Sequence, residues 1–228
     1  MNLSNRLLAC CGFVNPGDRV ADVGCDHGYL GIHLLLTGKA NSVIASDINP
    51  EPLASARRNA EKYGVSGKMS FFLSDGLQGL PRDFDCMICA GMGADTMISI
   101  LEGAPWVKSL GRRLILQCQS RRPLLRDYLT RNGFTIRQET LVRDGRFLYT
   151  VMEVLCTPSP ILTKAETYLS PALLRSGSPL LEEYRQQILS GLDKTIAGLS
   201  AKGGEAFENA CALRAEIARM GANLESGS

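Results

Sequence analysis

No stretch of this sequence is both long and apolar enough to cross a bilayer, and residues 1–13, with Arg6 among them, lack the length and flanks of a secretory signal. A cytoplasmic location is the expectation. Charge imbalance is also small: 25 basic against 23 acidic side chains leave +2, too little to mark a nucleic-acid binder by itself. Internal repeats and low-complexity tracts are absent. Eight cysteines are present, yet only Cys86 and Cys89 have C-x-x-C spacing, and no second pair completes a zinc site. Both fall in an apolar, strand-like run, where residues three apart face opposite sides of a sheet. They read as reduced core cysteines, and no metal is expected.

What is present suits one sizeable α/β domain with a smaller appendage: 228 residues, 45% of them hydrophobic, with mean hydropathy near zero. The most informative run is Val20-Ala21-Asp22-Val23-Gly24-Cys25-Asp26-His27-Gly28-Tyr29-Leu30, an apolar strand leading through a glycine-bearing acidic loop into a helix. Gly24 and Gly28 allow tight turns that bring backbone amides close to a ligand, while Asp22 and Asp26 add negative charge. A pyrophosphate would be repelled there. A cationic sulfonium, an amino group or ribose hydroxyls would be accepted, so the loop suits S-adenosylmethionine better than a dinucleotide. Asp47, at the end of the strand-like run 42–47, has the spacing of a ribose-binding carboxylate. Asp75, in Ser74-Asp75-Gly76 after the run 69–73, is a candidate partner of the adenine amine, against the plainer reading of a turn.

From residue 18 to residue 155 short apolar runs alternate with amphipathic ones, predicting strands at 18–23, 42–47, 69–73, 84–89, 112–117, 134–143 and 147–155. Helices are expected at 28–38, 51–63, 94–104 and 121–132, with Ser4 capping an opening helix through Cys11. Asp144-Gly145 signals a hairpin, so the sheet should end in an antiparallel pair. This is the pattern of a Rossmann-like α/β fold: a seven-stranded, mostly parallel sheet with helices on both faces. After Cys156 the prolines 158 and 160 break the pattern, which divides the chain into a domain at 1–156 and a C-terminal helical domain at 157–228. Ser178 and Pro179 supply a helix start, and near-heptad apolar spacing predicts an antiparallel, coiled-coil-like hairpin. Its stripe reads first as the hairpin's own seam and second as a surface for a homodimer.

Charge is unevenly placed. Residues 106–156 hold 10 basic and 4 acidic side chains: Lys108 and the arginines 112, 113, 121, 122, 126, 131, 137, 143 and 146 are the basic ones. Arg121 and Arg122 head the candidates for phosphate contacts, with solvated element ends as the alternative.

Five segments together, Leu3-Ser4-Asn5-Arg6-Leu7, Asp22 to Leu30, Ala90-Gly91-Met92-Gly93, Leu114-Ile115-Leu116-Gln117 and Asp144-Gly145, resemble the bacterial tRNA adenine-N1 methyltransferases that modify position 22. The resemblance spans nearly the whole chain and implies a class I methyltransferase fold, S-adenosylmethionine as methyl donor, tRNA as partner and N1-methyladenosine as product. By motif position it also implies cofactor contacts from Cys25, His27, Tyr29, Ala90, Gly91 and Met92; Ile48 and Gly76, beside Asp47 and Asp75, are further cofactor candidates. Arg6, Gln117 and Gln119 fall on the acceptor side. Ala94 stands where the family usually has a further glycine, and Cys118-Gln119 where Pro-Asn is common. The Asn/Asp-Pro-Pro-Tyr signature of enzymes that methylate exocyclic adenine nitrogens is missing.

N1 of adenine carries a lone pair and needs no covalent intermediate, but its methylated product is cationic with a more acidic exocyclic amine. Asp26 is the catalytic candidate, stabilising that charge or acting as a base after attack. Capping of the helix near Gly28 is the competing role for Asp26, structural hydrogen bonding for His27, and core packing for Tyr29. Two other functions remain open at this point: a class I methyltransferase of small molecules or proteins, and a non-catalytic module that binds S-adenosylmethionine or S-adenosylhomocysteine.

Overall fold

The central strands are near-continuous runs of buried residues, so both faces of one sheet are covered. The protein is described by a computed structural model over residues 2–109, 111–201 and 203–220; residues 221–228 of the expected C-terminal domain lie outside the described residues. The strands β1 (Asp18–Val23), β2 (Ala40–Asp47), β3 (Met69–Leu73), β4 (Cys86–Met92), β5 (Arg113–Cys118), β6 (Thr135–Asp144) and β7 (Phe147–Leu155) lie in the order β3-β2-β1-β4-β5-β7-β6. The first five pair in parallel, and β7 runs antiparallel to both β5 and β6. Strand order reverses between β1 and β4, and in open α/β sheets that switch opens a crevice at the carboxyl ends of the strands.

Helices α1 (Asn5–Gly12), α2 (Tyr29–Leu36) and α3 (Pro50–Lys62) cover one face, where Cys10, Ile32 and Ala56 pack on Val20, Val43 and Ile88. Helices α4 (Ala94–Glu102), α5 (Trp106–Ser109) and α6 (Arg122–Arg131) cover the other, where Met97, Val107 and Leu129 pack on Ala21, Met87 and Leu116. Cys86 belongs to the first face and Cys89 to the second, so this C-x-x-C pair straddles the sheet.

Several boundaries differ from the sequence expectation. β4 starts at Cys86 and runs past residue 89, because its pairing with β5 continues through Ala90 and, after a bulge, to Met92 opposite Cys118. Ala90, Gly91 and Met92 are therefore strand, not a following loop. Ser4 occupies the N-cap of α1 without a capping side-chain bond, and its buried hydroxyl has no partner among the described residues. The long C-terminal helix begins at Leu181, not at Pro179; Ser178 instead bonds the Leu180 amide within a turn.

Two short helices, α7 (Lys164–Tyr168) and α8 (Pro171–Leu174), occupy a stretch for which the sequence predicts no element. Their signals were legible: Thr163 and Glu166 form a capping box, and Ser170 caps α8. Helices α9 (Leu181–Leu199) and α10 (Glu205–Arg219) run antiparallel, with Arg185 donating to the Ala218 carbonyl and Arg214 paired with Asp193 at 2.7 Å.

Arg126 departs most from expectation. Grouped by sequence with the surface basic residues, it is fully buried, paired with Glu139 at 2.6 Å, and it donates to the carbonyls of Thr167 and Tyr168. Ser170 bonds the same carboxylate, so one charge pair ties α6, β6 and the segment joining α7 to α8.

Candidate active site

At the carboxyl ends of β1, β2, β3 and β4 the switch in strand order leaves a cavity of about 460 Å³. Four carboxylates, from Asp22, Asp26, Asp47 and Asp75, line it, with Arg6 the one lysine or arginine among the described lining residues. Of the sequence-predicted cofactor residues, Gly24, Cys25, His27, Tyr29, Ile48, Gly76, Ala90, Gly91 and Met92 also line it. Gly28 does not. It turns the chain into α2 at φ 73°, and a Cβ there would come within 2.8 Å of the Ala56 Cβ, so its smallness lets α2 pack on α3.

The amides of Gly24, Cys25, Asp26 and Gly28 are spent within the protein. Gly24 and Cys25 both donate to the Ser46 carbonyl, at 2.9 and 2.8 Å, and Gly28 donates to Cys25. That corrects the expectation of amides offered to a ligand: what this loop presents is carboxylate, a poor host for pyrophosphate and a good one for hydroxyls and cations. Asp47 is fixed from two sides, its Oδ2 accepting the Asp26 amide at 3.2 Å and its Oδ1 the Asn49 amide at 2.9 Å. Asp22 is buried, and its Oδ2 has no partner among the described residues. Burial pushes this carboxyl up to about 7; nearby Asp47 and Asp26 add to the shift, and the Gly31 amide opposes it.

Asp26 sits in the left-handed region at φ 49° with its side chain 73% exposed, free to meet an incoming group. His27 is held from α3, Nδ1 lying 3.1 Å from the Ser55 hydroxyl and its carbonyl accepting from Asn59. Its Nε2 lies 3.5 Å from Asp26, and its ring centroid 6.1 Å from that of Tyr29. Ile48 is 61% exposed at the cavity, an apolar surface suited to a flat ring. On the other side Met92 lies against Gly24, where an added Cβ would come within 2.1 Å of its terminal methyl.

The acceptor-side residues divide. Arg6 and Gln119 line the cavity, and Arg6 Nη1 lies over Gly91, 3.3 Å from where a Cβ would stand. Gln117 lies beneath, fully buried; its Oε1 accepts from Arg6 at 3.0 Å and from the Gly91 amide at 3.1 Å, while its Nε2 has no partner among the described residues. Arg121 and Arg122 stand outside the cavity, in a groove shared with Tyr168 and Tyr184. Arg121 pairs with Asp95 at 2.7 Å; Arg122 lies over the Tyr184 ring and donates to the Leu148 carbonyl. Sequence reasoning missed Asn49, Ser74, Thr96 and Ile100. Thr96 and Ile100 are one helical turn apart on α4, directly after the β4 tip, and that spacing was the available signal.

The residues fit a nucleoside that carries a positive charge: an orphaned buried carboxylate oxygen, a second carboxylate oriented by two amides, and an exposed isoleucine beside them. Residues 3–152 match the model of a methyltransferase-domain family. The tRNA (adenine(22)-N(1))-methyltransferase of Bacillus subtilis is 31% identical over 67% of this chain, and the match spans 64% of that relative's length. A solved structure from Streptococcus agalactiae, a protein of the NADB-Rossmann superfamily, superposes with a TM-score of 0.85 at 28% identity, over 95% of this chain and 97% of the other. TrmK of M. capricolum, solved in complex with S-adenosyl-homocysteine, superposes with a TM-score of 0.79 at 25% identity, over 94% of this chain and 97% of the other. The chain belongs to the methyltransferase-domain family and groups within it with the bacterial tRNA (adenine(22)-N1)-methyltransferases.

Proposed function

We propose that the protein transfers a methyl group from S-adenosylmethionine to N1 of adenine 22 in tRNA. The observation that carries this reading is the convergence of Asp22, Asp26 and Asp47 on a cavity whose opposite side is floored by Gly91 and bordered by Arg6 and Gln119. When bound, S-adenosylmethionine supplies a methyl carbon activated by a cationic sulfonium. Asp47 accepts from the ribose hydroxyls, Asp22 faces the cationic end of the cofactor, and Ile48 and Asp75 take its adenine. Gly24, Cys25, His27, Tyr29, Gly76, Ala90 and Met92 complete that pocket, and Gly28 supports it through α2.

The target adenine enters beside Gly91, which adds no side chain of its own, and meets the Arg6 and Gln119 side chains that lie over it. Asp26 takes a hydrogen bond from the exocyclic amine of the target as the N1–methyl bond forms and the methyl–sulfur bond breaks, stabilising the cationic product or taking its amine proton after attack. Gln117 positions Arg6. A base within folded tRNA must be turned out to reach this depth, at a cost of a few kcal/mol that phosphate contacts offset. Arg121 is exposed and would make such contacts by exchanging its Asp95 partner for phosphate, whereas Arg122 lies over Tyr184.

Residues 1–156 form the catalytic unit on this reading and 157–228 a helical unit, with tRNA engagement in the cytoplasm. Pairing of two chains through α9 and α10 is a secondary proposal that sedimentation at several concentrations tests.

The function is tested by incubating the protein with S-adenosylmethionine and unmodified tRNA bearing adenine 22, then quantifying N1-methyladenosine by mass spectrometry. Product that vanishes when adenine 22 is replaced by guanine supports the assignment. Firm cofactor binding with no methylated RNA overturns it in favour of another acceptor or a non-catalytic binder.

A further inference from the structure

The β6–β7 hairpin carries a feature that the catalytic reading does not use. Phe147 is 53% exposed, an unusual setting for a phenylalanine on a strand. The Arg146 guanidinium lies over its ring at 4.9 Å, and Tyr149 meets the ring edge-on with centroids 6.3 Å apart. Among the described residues no carboxylate pairs with Arg146, whereas its hairpin neighbour Arg143 is paired with Glu183. An exposed aromatic face beside an unneutralised arginine is the combination by which proteins hold single-stranded nucleic acid: the ring stacks a base and the cation meets the phosphate.

Its position relative to the cavity selects the occupant. Phe147 is paired directly across the hairpin with Asp144. The Asp144 carboxylate lies 3.8 Å from Arg6 Nε, and the other end of Arg6 reaches over Gly91 inside the cavity. Asn5 donates to the Arg143 carbonyl at 2.9 Å, fixing the hairpin against α1, which also carries Arg6. Cavity, Arg6, Asp144 and Phe147 thus form one continuous path along the acceptor side. A partner protein would be expected to meet a broader apolar patch, whereas a polyanion with unpaired bases matches one ring and one free cation.

We propose that Phe147 and Arg146 form a stacking platform for an unpaired nucleotide of tRNA beside the target adenine. This rests on the RNA substrate proposed above. Because a turned-out adenine leaves its neighbours partly unstacked, a second stacking surface next to the cavity would hold the opened strand while Asp26 and Arg6 engage the target.

The test measures equilibrium binding of tRNA transcripts by the intact protein and its Phe147→Ala and Phe147→Tyr variants, with melting temperatures as a folding control. The alanine variant is expected to bind tRNA about tenfold more weakly while its affinity for S-adenosylmethionine is unchanged, and the tyrosine variant to keep wild-type affinity. Transcripts with an abasic site on either side of adenine 22 give the specific readout. The abasic site that removes the stacked base should weaken binding by the wild type and add nothing to the loss in Phe147→Ala. Equal affinity of wild type and Phe147→Ala, or fully additive losses at both abasic positions, overturns the platform. The proposed function fails separately: wild type that binds tRNA without methylating it refutes the reaction while the binding comparison still decides the platform, and wild type that binds no tRNA refutes both.

Discussion

The Asp47 carboxylate accepts the backbone amide of Asp26 at 3.2 Å, joining the β2 tip to the loop after β1 across 21 residues of chain. The group proposed to hold ribose therefore also sets the backbone of the group proposed to handle the proton. Asp47→Ala should weaken S-adenosylmethionine binding by about tenfold or more, as loss of hydrogen bonds to a charged acceptor does, and should also lower kcat at saturating cofactor. Calorimetry and initial rates separate the two. A change in affinity with kcat intact would mean that Asp26 does not depend on Asp47.

Asp26 itself is exposed and contributes nothing to the core, so Asp26→Ala should leave cofactor affinity unchanged and lower the melting temperature only slightly, because alanine fits φ 49° less well than aspartate. Methyl transfer should fall by about 100-fold, the scale of a lost acid-base group. Retention of more than half the activity would assign Asp26 to loop geometry alone.

Asp22 makes the site pH-dependent. In the folded, ligand-free protein its carboxyl lies near 7, above the 3.8 of an ordinary aspartate, so the folded state holds a proton that the unfolded chain releases between these values. Its contribution to stability is greatest below pH 4, falls as pH rises to 7 and is level beyond. A cationic ligand favours the ionised form, so S-adenosylmethionine affinity should rise with pH up to about 7 and then plateau. Asp22→Asn should flatten both profiles, measured by thermal unfolding and by calorimetry in a pH series.

Two glycines of one loop should fail differently when changed to alanine. At Gly24 the new methyl displaces the Met92 side chain inside the cavity, so cofactor affinity drops; φ of 74° adds about 1 kcal/mol of strain. At Gly28 it meets the Ala56 side chain and backbone between α2 and α3, so the melting temperature should fall further than for Gly24→Ala. Unfolding and binding curves on both variants check the distinction.

Arg126 and Glu139 are both fully buried, and neither charge can be left alone. Glu139→Ala should cost about 3–5 kcal/mol in a denaturant titration, the penalty for a stranded buried charge. Arg126→Met combined with Glu139→Leu should recover much of that loss. A loss below 1 kcal/mol for Glu139→Ala would show that water reaches the pair.

Where information is local, the sequence carried it. Short apolar runs at 18–23, 42–47 and 69–73 marked three strands, and a carboxylate at or beside the end of each of the first two, with Asp75 just past the third, marked the ligand end of the sheet, because a strand tip and the turn after it are encoded by adjacent residues. The final hairpin at Asp144-Gly145 was legible for the same reason. Charge was less legible: ten basic residues in one segment read alike, yet Arg126 is buried, Arg122 lies over Tyr184, and Arg146 has no carboxylate partner among the described residues.

Tertiary structure decided which distant groups meet. Arg6 and Gln117 are 111 residues apart and touch because α1 packs across β4 and β5, which brings its Arg6 to the carboxyl end of β5. Gly28 looks like Gly24 in sequence, and only the approach of α3 makes one a packing residue and the other part of the cavity. The sequence by itself determined the seven strands, the acidic strand tips and the class of ligand they admit, since each depends on side chains close along the chain. Sheet order and helix packing determined the acceptor side, the burial of Arg126 and the nearness of Phe147 to the cavity, since these depend on contacts whose partners no local pattern specifies.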